Sequence, residues 1–117
     1  MKTYEFPFCG SGGPGDTWEG SISIDLSELD YARLEASINS GHDSPMEDDA
    51  VSDLCYRVFD SVVDETLKLE EDMIEEYREI YGMDDDATPR EIIEEFLWSQ
   101  SLSIGYPKAL QEKYWEQ

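Results

Sequence analysis

Apolar residues in this chain recur with two different periods. Tyr4, Phe6 and Phe8 alternate with Thr3, Glu5 and Pro7, and Ile22, Ile24 and Leu26 alternate with Ser21, Ser23 and Asp25. Period two predicts half-buried strands, and two such runs predict an antiparallel hairpin with its second strand starting near Trp18. Pro7 lacks the N–H a ladder needs, so this part of the first strand is expected at a sheet edge or near a strand end. Between the runs, Gly10-Ser11-Gly12-Gly13-Pro14-Gly15 predicts a long hairpin loop. No Gly-Lys-Ser/Thr closes it and a strand follows, so it is not a phosphate cradle.

The second period is helical. Val51, Leu54, Cys55, Val58, Val62, Leu69, Met73, Tyr77 and Ile80 recur at steps of three and four, widened by Phe59, Val63, Leu67 and Ile74. They predict a helix over 51–81, or two with a break, spanning about 45 Å if unbroken. Earlier, Ser27 as N-cap with Asp30 at N3 is a capping box, with Leu26 and Tyr31 placed as a staple. It opens a helix over 28–40 that buries Tyr31, Leu34 and Ile38 and stops at Gly41. His42 to Ala50 is a polar connection whose Asp48 and Asp49 suit the start of the central helix. Gly82 ends that helix. Thr88-Pro89-Arg90-Glu91 starts another, running to Ser99 with Ile92, Ile93, Phe96 and Leu97 inward and Trp98 off the stripe. Leu102, Ile104 and Tyr106 alternate as a third strand, and Pro107 opens a short terminal helix. The expected fold is a single α+β domain: a small antiparallel sheet of about three strands with three to four helices, the longest central and strongly acidic.

Charge changes what such a fold can do. The chain has 117 residues with 29 acidic and 8 basic, a net charge of −21. Self-repulsion of that size disfavours a compact state, and a basic partner would relieve it. From Asp43 to Asp86 there are 17 acids against 3 bases. Direct binding to nucleic acid or to an anionic membrane is disfavoured. Two cysteines, no secretory leader and no long apolar run read as a cytoplasmic chain with free thiols, although a Cys9–Cys55 disulfide is open.

Enzyme chemistry finds little footing. His42 is the only histidine, beside one aspartate in a polar connection. Cys55 lies on the apolar stripe, where a thiol is usually inert. Two Cys and one His, widely spaced, offer no imidazole or thiolate metal centre. Asp84-Asp85-Asp86 has Pro89 where a calcium loop needs glycine. No catalytic residue, metal or cofactor is expected, and the chain reads as a binding protein.

The binding surface is expected on the central helix. Asp53, Asp60, Asp64, Glu71 and Glu75 fall opposite the apolar stripe, a row of roughly 33 Å at 1.5 Å per residue. Asp72, Glu76 and Glu79 flank it, and Asp84, Asp85 and Asp86 follow. Arg57, Lys68 and Arg78 lie near the line, and pairs such as Asp64–Lys68 and Glu75–Arg78 are expected one turn apart. In charge character this surface resembles the acidic DNA-mimic inhibitors that act against restriction or CRISPR nucleases. The resemblance implies a basic protein partner, a nuclease or effector complex, whose nucleic-acid groove the carboxylates occupy. An immunity protein against a basic nuclease toxin shares that mechanism. A module anchored by Trp18, the 10–15 loop or Tyr114-Trp115 is the contrasting case. The apolar stripe is also broad enough to pair two copies.

Overall fold

The computed structural model describes residues 1–13 and 16–115. Strands β1 (Lys2–Gly13) and β2 (Asp16–Leu26) form the hairpin, in register from Lys2 opposite Leu26 to Ser11 opposite Thr17. The strands are longer than their alternating cores, because Gly10 to Gly13 belongs to β1. This corrects the expectation of a loop there; Pro14 and Gly15 lie outside the described residues. Ring packing gives the reason. A Cβ on Gly10 would sit 2.3 Å from the Trp18 ring, so glycine lets the indole lie across the neighbouring strand.

The strand order is β2-β1-β3, so β1 is central where β3 pairs with Phe8 and Cys9, and the part that holds Pro7 lies just beyond that short pairing. Pro7 is tolerated because its carbonyl accepts from Gly105 N–H at 2.9 Å on the β3 side. Its missing donor faces that same side, where β3 (Ser103–Ile104) has already ended. The long β1–β2 ladder loses nothing.

Helix α1 (Glu28–Asn39) carries the expected capping box: Asp30 N–H donates to Ser27 Oγ, and Ser27 N–H donates to the Asp30 carboxylate. Gly41 ends it at φ +92°. The polar connection folds as two short 3-10 turns, with Met46 N–H donating to Ser44 Oγ and Ala50 N–H to Asp48. Ser44 Oγ also donates to Ile104 O at 2.9 Å, tying the connection to β3.

The central stretch forms two helices, α2 (Ser52–Leu69) and α3 (Ile74–Ile80), parted by a 3-10 turn over Glu71–Met73. That makes five helices with α4 (Pro89–Ser99) and α5 (Lys108–Tyr114), one more than the upper expectation. Charge explains the break. One continuous helix would stack Glu71 on Glu75 and Asp72 on Glu76, like charges one turn apart. Breaking after Leu69 puts Glu75 and Glu76 in the first turn of α3, where the dipole favours them. The apolar stripe changes phase there. Leu69 and Ile80, expected inward, are 82% and 62% exposed.

Val58, Val62 and Val63 of α2, Ile92, Ile93 and Leu97 of α4, and Phe6 and Leu26 of the hairpin are buried in one cluster. Each such aliphatic side chain contributes roughly 1.5–3 kcal/mol on leaving water. The helices cover one face of the sheet; Thr3, Glu5, Ser21, Ser23 and Asp25 on the other face are exposed. Tyr106 closes the core beside β3, fully buried, its hydroxyl 2.6 Å from Ser37 Oγ. Ser101 takes φ 55° after α4, the part glycine plays at positions 41 and 82. Among the described residues, no helix is long and apolar enough to cross a membrane.

Candidate functional site

The acidic residues of the central stretch divide into two groups with different surroundings. On α2 they are clamped by arginines from other elements. Arg33 of α1 donates to both carboxylate oxygens of Asp53, at 3.0 and 2.6 Å, and to Ala50 O at 2.6 Å. Arg90, in the first turn of α4, donates to Asp64 at 2.6 Å and Asp60 at 2.8 Å, spanning one turn of α2. Arg57 points the other way, to Asp30 at 3.1 Å and Asp25 O at 2.8 Å. The bond from Arg33 holds the Asp53 carboxyl below its ordinary value. Burial pushes Asp30 upward, yet bonds from Arg57 and Ser27 leave it lowered. The expected Asp64–Lys68 pair does not form; Lys68 lies 3.8 Å from Glu65, and Asp64 belongs to Arg90.

Beyond the break the pattern reverses. Ile74 is the one buried residue of α3, and Tyr77 stacks on Phe96 with ring centroids 4.6 Å apart. Arg78 lies 3.4 Å from Glu75, as expected, but its Nη1 is spent on backbone: it donates to Asp84 O, Asp85 O and Ala87 O at 2.8, 3.1 and 3.0 Å. One guanidinium thereby shapes the turn that carries three consecutive aspartates. Among the described residues, no cation lies within 4.0 Å of the side-chain carboxylate of Glu71, Asp72, Glu76, Glu79, Asp84, Asp85 or Asp86. Glu75, Glu76 and Glu79 rise over about 6 Å of helix, near the 3.4 Å charge spacing of one DNA strand.

No family model, curated protein or solved structure matches the chain. The site therefore rests on its own chemistry.

The sequence's two candidate catalytic groups, His42 and Cys55, are placed as follows. His42 Nδ1 is 3.2 Å from Ser37 O and 3.8 Å from the Asp48 carboxylate, a local loop contact. Burial, with Asp53 and Asp48 nearby, pushes the Cys55 thiol up to about 11, away from the reactive thiolate. Cys9 and Cys55 are both free, which settles the disulfide question. Among the described residues no His, Cys, Asp and Glu group has metal-binding geometry.

The aromatic anchors have internal work. Trp18 Nε1 donates to Gln100 Oε1 at 3.3 Å and its ring meets Phe8 edge-on. The Tyr114 hydroxyl accepts from Asn39 at 3.5 Å. Trp115 packs edge-on against Tyr106 and stays 51% exposed. Sequence reasoning passed over Arg33 and Arg90. The available signal was scarcity: with 8 basic residues in 117, an arginine among so many carboxylates is rarely left unpaired. Their partners, 20 and 26–30 positions away, follow only from the packing of α1 and α4 on α2.

Proposed function

We propose that this chain is an acidic binding protein that inhibits a nucleic-acid-binding protein by occupying its basic groove. One observation carries the reading: eight carboxylates between Glu71 and Asp86 share a single arginine, and that arginine is turned toward backbone carbonyls. A fold that neutralises Asp53, Asp60 and Asp64 with long-range arginines yet leaves this stretch bare keeps its repulsion in one place. A basic groove built for phosphates is the partner that would remove it. The contact surface in this reading is Glu71, Asp72, Glu75, Glu76, Glu79 and Asp84 to Asp86. Asp53, Asp60 and Asp64 serve the fold first. An anti-restriction or anti-CRISPR role and a nuclease-immunity role use the same contact.

The test is displacement. Nucleases and effector complexes are each loaded with fluorescent duplex DNA, and the chain is titrated in. The target releases its DNA, and the potency falls steeply between 50 and 300 mM salt because exposed charges are screened within about 8 Å. Replacing Glu71, Glu75, Glu76 and Glu79 with Gln reduces displacement about a hundredfold, roughly 0.7 kcal/mol per exposed charge, with circular dichroism unchanged. Full potency of that variant, or potency indifferent to salt, overturns the reading.

A further inference from the structure

The outer edge of β2 is open. The phase of the ladder follows from Pro7, whose carbonyl bonds to Gly105 on the β3 side. Pro7 lies opposite Ser21, so this is a pair without mutual hydrogen bonds, and the backbone groups of Ser21 point outward. The two-residue period adds Thr17, Glu19, Ser23 and Asp25. Asp25 confirms the phase, since its carbonyl accepts from Arg57 of α2. Arg57 closes the edge at that end. From Thr17 to Ser23 no described group outside the strand pairs with those outward N–H and C=O groups.

Beside this edge runs a groove of about 730 Å³. Its far wall is the end of α2 and part of α4: Thr66, Leu69 and Phe96, with Glu65 and Glu70 at the rim. Leu69 stands there 82% exposed, although its spacing marks it as a core residue. The groove is thus apolar at its floor and acidic at its lip, next to a row of unpaired backbone groups.

We propose that the Thr17–Ser23 edge takes an extended, alternating basic and apolar segment of a partner protein as a fourth strand. Backbone pairing supplies the grip, and alternation supplies the selectivity. Side chains on the helix side enter the groove against Leu69, Phe96 and Ile22. Those on the other side meet the polar face, where Glu19 stands beside Ser21 and Ser23. Charge selects the occupant: a second copy would bring another −21 to the same edge, whereas arginines or lysines meet Glu19 directly, in a field that Glu65 and Glu70 at the lip make more negative. This surface is separate from the bare carboxylates of Glu71 to Asp86, and its proposal stands without them.

The probe is a labelled nine-residue peptide alternating Arg and Val, followed by anisotropy and by amide exchange of the full chain. It binds with a micromolar dissociation constant and slows exchange at Thr17, Glu19, Ser21 and Ser23 about tenfold or more. N-methylation of alternate peptide nitrogens weakens binding at least about tenfold, as does Ser23→Pro, which removes an outward N–H that the ladder does not use. The Gln variant at 71, 75, 76 and 79 binds the peptide as the parent does, which separates this result from the groove-occupation test. Three results overturn the proposal: the N-methylated peptide binds equally well, a nine-residue polyarginine binds equally well with its effects at residues 71–86, or the free chain dimerises with the same four amides already protected.

Discussion

Helix α2 and the α3 stretch are adjacent in sequence and alike in charge, but the fold pairs the acids of α2 far more than those of α3. Phe59, Val62 and Val63 of α2 are buried, and its acids at 53, 60 and 64 are bound by Arg33 and Arg90. The α3 stretch buries Ile74, rests Tyr77 on Phe96, and pairs only Glu75 of its carboxylates with a cation, Arg78, among the described residues. The difference teaches that net charge is a poor guide to a binding surface. What matters is which charges the fold has already spent.

The sharpest way to break this contrast is to remove the packing that anchors α2. Phe59 is 7% exposed and stacks on Trp98 with centroids 4.8 Å apart. Phe59→Ala is expected to cost about 3–5 kcal/mol in urea unfolding, whereas Ile80→Ala on α3 should stay within about 0.5 kcal/mol. Equal costs would mean that Ile80 is packed as deeply as Phe59.

Next in size is the arginine clamp. Arg90→Ala leaves Asp60 and Asp64 facing each other one turn apart, and should lower stability by about 1 kcal/mol, or roughly 4 °C in melting temperature. Lysine should recover little, since one ammonium cannot fork to two carboxylates. The Arg33–Asp53 pair adds a pH signature. Asp53 is held below its ordinary value, so the pair contributes above that value and is lost as pH falls below about 4. The difference in melting temperature between parent and Arg33→Ala should be level from pH 7 to 5 and close below 4. A difference that grows in acid contradicts the assignment.

Local signals in the sequence were legible, and long-range ones were not. Ser27 with Asp30, Gly41, Thr88 with Pro89 and Gly82 all act on their immediate neighbours, and all do in the structure what their chemistry predicts. Pro7 sits just beyond the short β1–β3 pairing, and its carbonyl's partner there, Gly105, is almost a hundred positions away and out of reach of local reasoning. Leu69 and Ile80 were misplaced because a helical wheel keeps one phase, and no glycine or proline marks the break after Leu69. The like-charge run over 70–76 was the readable warning. Of the candidate surface, the bare acids of α3 and the 84–86 turn were in view from the start. That Asp53, Asp60 and Asp64 are committed elsewhere required the tertiary positions of Arg33 and Arg90.

A smaller effect of opposite sign tests the unspent charges. Replacing Glu71, Glu75, Glu76 and Glu79 with Gln removes repulsion and no ion pair except Glu75–Arg78. Stability should rise by about 0.5–1 kcal/mol at low salt, and the gain should vanish near 0.5 M NaCl as screening replaces mutation. The same exchange at Asp60 and Asp64 should lower stability instead, because it leaves Arg90 only Glu94 as an ionic partner. If both sets move stability in the same direction, the division between spent and unspent charge is wrong.

The smallest expected effect is at Leu69, where the two halves meet. As the last residue of α2 it would belong to the anchored half by sequence, yet it is 82% exposed on the groove wall. An exposed leucine contributes little to the fold, so Leu69→Ser should change the unfolding free energy by less than about 0.5 kcal/mol. Its loss should be felt by a bound strand, because Leu69 supplies apolar surface to the groove beside β2. Affinity for the Arg-Val peptide should then drop about threefold to tenfold, with amide protection at Ser21 reduced in parallel. A stability loss above about 1 kcal/mol would show Leu69 packed in solution, with the core of α2 running on through the break. In that case the groove would be closed, and α3 would be a continuation of α2 rather than a separate acidic ledge.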